Sequence, residues 1–492
     1  MKKLIIASSL ALLTNFVYAS ADKTAESYQL HCASCHGANR LGGMGPALLP
    51  ENLKRLRKKK ASKVIANGRA ATQMPAFTSK LSDKEIQSLV DYVYTPLTKI
   101  PSWGMSEIKK SHLTHFKADS LSDKPVFKAD MMNLFIVVEL GDHHATLLDG
   151  DKFERIQRFK TRFALHGGPK YSPDGRYVYF ASRDGWISKY DIYNLKTVAE
   201  VRAGINTRNV AVSGDGKTVL VGNYLPHNLV MLDADTLQPL KVIPVKADGK
   251  SSRVSAVYTA TPRHSFIAAL KDIPEVWEIA YSKPNFPIRK IKLTDYLDDF
   301  QFDQSYTHLM GAGRNAKNGQ VIDLNIGRKV ANLELTGLPH LGSGITWNYK
   351  GRPVMATPNI KKSEISIIDM TSWKTIKKIK TLGPGFFMRS HENSPYAWAD
   401  VFFGPNKEAV HVIDKSTLEI VKTLKPSPGK NAAHVEFDRH GKHVLLSVWD
   451  MDGELIIYNA DTLTEIKRIP MKKPSGKYNV FNKISRSAGT SH

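Results

Sequence analysis

The feature that most constrains the fold is a recurrence: a polar turn, an apolar strand, a second turn, then a strand ending in Asp or an equivalent residue before a T-L-x-x-x-K return. SPDGRYVYFASRDGWISKYDIYNLKTV, SGDGKTVLVGNYLPHNLVMLDADTLQPLK and DRHGKHVLLSVWDMDGELIIYNADTLTEIK are three instances. The strand-ending position runs through Asp149, Asp191, Asp233, Tyr281, Asp323, Asp369, Asp414 and Asn459, at intervals of 42 to 48 residues. That spacing is the length of a four-stranded propeller blade. Eight marks predict an all-β eight-bladed propeller over residues 131–492. Such a fold hides its strand edges by radial repetition and presents loops at the mouth of a central channel, so chemistry is expected on inter-strand loops.

The segments before the repeat read differently. In MKKLIIASSLALLTNFVYASADK, Lys2 and Lys3 precede an apolar run from Leu4 to Val17, and small residues follow at Ala19. This predicts a signal peptide over residues 1–19 and a periplasmic location. No later stretch approaches the roughly 18 consecutive apolar residues of a transmembrane helix. Residues 98–130 lack periodicity and read as a linker. Lys and Arg total 70 against 46 Asp and Glu, a formal net charge of +24. Such a balance suits attraction to anionic surfaces, a docking face for an acidic partner, or a pocket for a polycarboxylate ligand. Nucleic acid is not expected for an exported chain whose basic residues are dispersed; the one cluster, KRLRKKK at 54–60, reads as a solvated helix face.

The chain has 2 cysteines, both in HCASCHG at 31–37. C-x-x-C-H is the attachment pattern of a covalent haem c: Cys32 and Cys35 add across the porphyrin vinyl groups, and His36 reaches the iron. Downstream, LGGMGPALLP is a loop, NGRAATQMPAF sets Met74 before a proline, and LSDKEIQSLVDYVYTPL offers a capping box of Ser82 and Glu85 ahead of apolar Ile86, Leu89, Val90 and Val93. This order resembles an all-α class I cytochrome c domain over residues 20–97. The resemblance implies Met74 as sixth iron ligand, with Met44 the competing thioether. An imidazole and a thioether leave no open site, so this haem moves electrons and does not bind substrate.

Three histidines stand beside glycine or small residues between strand-like runs: His166 in ALHGG, His340 in LPHLG and His434 in AAHVE. From separated blades they would converge on the channel. A c-type domain joined to such a propeller, with ALHGGPKYSPDGRYVYFASRDGW early and PSGKYNVFN late, resembles the haem d1 family of cytochrome cd1 nitrite reductases and their relatives across almost the whole mature chain. The resemblance implies His166 as proximal ligand to haem d1, His340 on the distal side, and Arg183, Arg208 and Arg253 as basic residues lining the propeller. Guanidinium groups there would bind the carboxylates of the tetrapyrrole in bidentate fashion.

Two departures redirect the reading. Nitrite reductases place two distal histidines over the iron; counting back from His340 reaches DYLDDFQFD, with Asp298 and Phe300 where the first should stand. His434, in turn, occupies a place where those enzymes lack a histidine. The combination resembles the dihydro-haem d1 dehydrogenase branch, which oxidises dihydro-haem d1 to haem d1 by converting a propionate to an acrylate. The resemblance implies His434 as the base, Tyr478 as a residue that orients or shares its proton, and haem c as the electron exit. The partners implied are the tetrapyrrole, a soluble electron acceptor, and nitrite reductase or other haem d1 assembly proteins. A nitrite reductase with an altered distal pocket and a non-catalytic haem d1 carrier remain open alternatives.

Overall fold

The computed structural model describes residues 23–485, apart from 44, 54–55, 69–73, 100–101, 118–119, 164 and 314–317. The expected signal peptide and the competing thioether Met44 therefore lie outside the described residues. The chain divides into two compact units between Ser102 and Trp103.

The first unit is helical, with segments Ala33–His36, Pro50–Leu53, Lys58–Asn67 and Asp83–Tyr94. Ser82 starts the last of these as read from sequence: its hydroxyl accepts from the Glu85 amide at 3.4 Å, and the Glu85 carboxylate accepts from the Ser82 amide at 2.8 Å. Ile86, Leu89, Val90 and Val93 are then all buried, the helical period placing Ile86, Leu89 and Val93 against Tyr28, Phe77 and Leu81. Within the basic run, Lys58 forms a surface ion pair with Asp91 at 2.8 Å.

The second unit is a propeller of eight antiparallel blades. One blade is closed by both ends of the domain: Pro474–Asn479 supplies its innermost strand beside Leu134–Glu139, His144–Asp149 and Glu154–Lys160. The other seven run in sequence from inner to outer strand, beginning at Lys170–Tyr171, Asn206–Val212, Val254–Ala260, Asp299–Phe302, Ile345–Tyr349, Met388–Ser390 and Ala432–Phe437. The segment read as a featureless linker is ordered in part. Met105–Ser111 is a helix with Ile108 buried, Leu113–Thr114 adds a fifth strand to the outer edge of Lys196–Arg202, and the Trp103 indole donates to the Arg202 carbonyl at 2.8 Å. These elements are too short to show a period.

The repeat mark has a physical basis. Asp149, Asp191, Asp233, Asp323, Asp369, Asp414 and Asn459 each end the third strand of a blade. Their side-chain oxygens accept backbone N–H groups two or three residues on, as at Asp414 from Ser416 at 2.7 Å and Thr417 at 2.9 Å. This Asx-type turn is closed four residues after the mark by a left-handed residue, including Leu195, Leu237, Leu418 and Leu463. The leucine of the recurring T-L is thus the left-handed residue that ends the turn, and the register shift falls three residues later, as at Val421 opposite Val412 and Ile413. Tyr281 cannot accept in this way; its strand ends at Ala280, and Asn285 and Phe286 both take positive φ.

Because the strands alternate in direction, the connections entering the inner strands and the hairpins between second and third strands share one end of the propeller. His166, Arg183, His340 and Trp449 all lie on such connections.

Candidate functional site

In the helical unit the Ala33–His36 turn presents Cys32 and Cys35 as free, partly exposed thiols. Burial, with the neighbouring Cys35, pushes the Cys32 thiol up to about 11. His36 is buried, and burial lowers its pKa, so its ring is neutral. Its Nδ1–H donates to the Pro46 carbonyl at 2.8 Å, leaving the Nε2 lone pair for a metal. A Cβ at Gly45 would stand 2.8 Å from that ring, so only glycine fits there. Met74 packs with Cys32 against the same apolar cluster. Two thiols, one oriented imidazole and a thioether fit a covalent haem c.

In the propeller, His166 enters the site just before the Lys170–Tyr171 strand. Its amide donates to the Ala181 carbonyl at 2.9 Å, and its Nδ1–H donates to the Arg208 carbonyl at 2.7 Å. That leaves Nε2 as the lone pair, against which the Arg208 guanidinium lies. A donor-anchored imidazole whose other nitrogen is turned outward fits an axial iron ligand. Gly168, at φ +69°, brings the next turn against Tyr478, whose ring would be 2.8 Å from a Cβ there.

His340 sits before the Ile345–Tyr349 strand, and its Nδ1–H donates to the Phe386 carbonyl at 2.5 Å. Burial lowers its pKa, and it packs on Phe386 with ring centroids 4.0 Å apart. The carboxylate facing it is Asp299, 3.8 Å from Nε2, which also accepts from the Tyr258 hydroxyl at 2.9 Å and the Gly342 amide at 3.0 Å. The sequence count placed Asp298 and Phe300 where a second histidine would stand; the Asp298 side chain pairs with Lys271, and Phe300 is buried in the core. Successive strand residues face opposite ways, so a shift of one residue decides which carboxylate meets the pocket.

His434 lies on the inner strand Ala432–Phe437, at a bulge between Ala433 and Val435. It is buried, and both ring nitrogens lack a hydrogen-bond partner among the described residues. Its ring is flanked by Phe387 at 4.6 Å and Tyr478 at 5.2 Å between centroids. Burial first, then the charges of Lys477, Arg389 and Lys483, hold its pKa well below the usual imidazole value. The Tyr478 phenol is pushed up to about 12 by burial.

The structure thus brings His166, Arg208, His340, His434 and Tyr478 together. Arg183 is exposed on the Ser182–Gly185 turn, tied to the His166 loop by the Leu165–Ser182 bridge. Arg253 is already engaged: its amide and Nε donate to one oxygen of Asp272 at 3.0 and 2.8 Å, and its fork closes on the other. Sequence reasoning did not single out Asp299, Asp400, Lys477, the buried Arg389 beside Glu436, or the aromatic wall of Phe386, Phe387, Phe402 and Trp449. The paired Phe-Phe dipeptides at 386–387 and 402–403, both between strands, were the available signal for that wall.

A haem-attachment domain and an eight-bladed propeller with inward-facing histidines together define a tetrapyrrole-handling redox protein. The Cytochrome D1 heme domain model matches residues 129–483, and the model for cytochrome c oxidase, cbb3-type, subunit III, matches residues 19–93. The chain belongs to the cytochrome D1 heme domain family. It is 56% identical over 492 residues to the dihydro-heme d1 dehydrogenase of Pseudomonas aeruginosa, covering 99% of this chain and 100% of that one. It is 25% identical to a nitrite reductase of Stutzerimonas stutzeri, over 93% of this chain and 92% of that one. A solved structure of dihydro-heme d1 dehydrogenase NirN in complex with DHE superposes with a TM-score of 0.90 at 57% identity, covering 94% of this chain and 100% of that one. Among the described residues, no helix is long and apolar enough to cross a membrane.

Proposed function

We propose that this chain oxidises dihydro-haem d1 to haem d1, converting one propionate side chain to an acrylate, and that it works in the periplasm after export directed by residues 1–19. One hydrogen leaves each of two adjacent carbons: a C=C bond forms, two protons are released, and two electrons are removed. A covalent haem c held by Cys32, Cys35, His36 and Met74 would supply one-electron transfer, and a soluble electron acceptor would take up the two electrons in turn. The finished tetrapyrrole passes to nitrite reductase or to other haem d1 assembly proteins.

The observation that carries this reading is the pairing of an oriented imidazole, His166, with a buried one, His434, whose ring nitrogens have no hydrogen-bond partner among the described residues. Burial is costly for a ring whose nitrogens make no hydrogen bond, and a structural histidine would normally have them satisfied. His166 and His340 hold the substrate from its two faces. Arg208, freed from the His166 lone pair, and Arg183 meet substrate carboxylates; Arg253 contributes what its pairing with Asp272 leaves. His434 begins neutral, as a base must, and an arriving carboxylate raises its affinity for a proton. Tyr478 packs on that ring and orients it.

Nitrite reduction is less well supported: it consumes two protons, and beside His340 stands Asp299 where a second imidazole would be needed. A carrier without catalysis would have no use for a haem c. The test is to incubate the holoprotein with dihydro-haem d1 and an electron acceptor and follow absorption and mass. A product lighter by two hydrogens is expected; its absence would overturn the activity, and an undiminished rate after His434→Ala would overturn the base.

A further inference from the structure

His434 adopts φ +55°, in the left-handed region, at the bulge that takes it out of the strand's alternation. A residue with a Cβ is disfavoured there by about 1–2 kcal/mol, and it persists only where the surroundings over-determine it. Two charged side chains from two other blades do so. Asp400, at the end of Tyr396–Asp400, accepts the His434 amide at 3.1 Å. Lys477, on Pro474–Asn479 and with no exposed surface, donates to the His434 carbonyl and to the Ser447 hydroxyl, the latter at 2.7 Å. The two peptide groups flanking the His434 Cα are therefore clamped by a carboxyl group on one side and an amine on the other. Asp400 also accepts the amides of Phe386 and Phe387 at 2.8 and 3.0 Å, and the Phe386 carbonyl is the acceptor that orients His340. One carboxylate thus sets the register of both histidines.

Neither charge is needed to build the strand. Glycine at the bulge would take the same backbone without strain, and burying a carboxylate and an amine is unfavourable unless each is well paired. What the clamp adds is a fixed direction for a buried imidazole whose nitrogens have no hydrogen-bond partner among the described residues. We propose that Asp400 and Lys477 are positioning residues for the oxidation, holding His434 left-handed so that its ring meets the reacting side chain, with Asp400 also registering it against His340. This rests on the reading of His434 as the base.

The test is a double-mutant cycle on the holoprotein. Asp400→Asn and Lys477→Met are made singly and on His434→Ala, and kcat and KM for dihydro-haem d1 are measured with an electron acceptor. Each single variant should lose about 10²-fold in kcat, the scale of a small misplacement, with KM little changed; on His434→Ala neither should lower the rate further. Asp400→Asn alone should also shift the absorption of the bound tetrapyrrole, through His340. An undiminished kcat in Asp400→Asn, or losses that multiply with that of His434→Ala, would overturn the positioning role while leaving the base reading intact. Full activity in His434→Ala would remove the base reading itself. If Lys477→Met does not fold, Ser447→Ala, which takes away one anchor of the ammonium, must lower kcat in the same non-multiplying way; an unchanged kcat there overturns the Lys477 half.

Discussion

His166 and Arg208 hold each other twice: the imidazole Nδ1–H donates to the Arg208 carbonyl at 2.7 Å, and the Arg208 guanidinium reaches Nε2 of the same ring. The first contact uses backbone and survives any side-chain change at 208. The second uses the lone pair that an iron would take. If His166 is the iron ligand proposed above, loading the site would exchange a cation for a metal on that nitrogen and would release a guanidinium beside a ligand rich in carboxylates.

The two residues should separate cleanly by mutation. His166→Ala is expected to abolish the axial-ligand absorption of the bound tetrapyrrole and to weaken binding about 10- to 100-fold. Arg208→Ala should keep that absorption, because the carbonyl still anchors Nδ1–H, while raising KM through loss of a charge-assisted carboxylate contact. Titration of dihydro-haem d1 followed by absorption measures both.

The haem c site makes a second prediction. Met74 is the thioether that packs beside Cys32 on the helical core. Met74→Ala should open the sixth position, so that the reduced protein binds carbon monoxide, and should lower the midpoint potential, because a thioether ligand raises it. Covalent haem should persist in this variant and be lost in Cys32→Ala with Cys35→Ala, as read by haem staining on a denaturing gel.

Much of this architecture was legible because its signals are local. The blade marks repeat since each carboxylate closes its own turn, and the mark falters at Tyr281 for the same reason. His166 and His340 stood out because glycine or proline beside them announces a loop; His434, read the same way, lies instead within the inner strand Ala432–Phe437, where a bulge turns it out of the alternation. Asp400, Lys477 and Arg389 look in sequence like ordinary charged residues near strand ends. Their roles depend on which blades are neighbours, as where Lys477 reaches the carbonyl of His434, 43 residues away. The choice between Asp298 and Asp299 depends on strand register, which a residue count from His340 does not fix.

The turn device predicts a stability effect away from the site. Asp414→Ala removes the acceptor for the Ser416 amide, the Thr417 amide and the Ser416 hydroxyl, at 2.7, 2.9 and 2.6 Å. A loss of about 1–2 kcal/mol is expected, seen as a lower denaturation midpoint with unaltered haem c content. The Ser416 hydroxyl and these amides hold the Asp414 pKa below its ordinary 3.8. The stabilisation is therefore complete above that ordinary value and is lost as pH falls through the lower folded value, so wild type and variant should converge in acid.

Two buried carboxyls predict the opposite slope. Burial is the largest influence on both Asp184 and Asp400 and pushes each from 3.8 to about 6, against hydrogen bonds from Ser182 at the first and from backbone amides at the second. Between those values the folded chain binds more protons than the unfolded one, so stability falls as pH rises from about 4 to about 6. Two pKa units correspond to roughly 3 kcal/mol per group. Asp184→Asn and Asp400→Asn, which cannot titrate, should each lack this contribution, so that the thermal midpoint of each variant relative to wild type rises as pH goes from about 4 to about 6. Asp400→Asn should do so while slowing the oxidation, and Asp184→Asn, whose side chain pairs with Ser182 on the turn that carries Arg183, should do so with kcat retained. Profiles that stay parallel to wild type in both variants would show that these carboxyls are already ionised at pH 4.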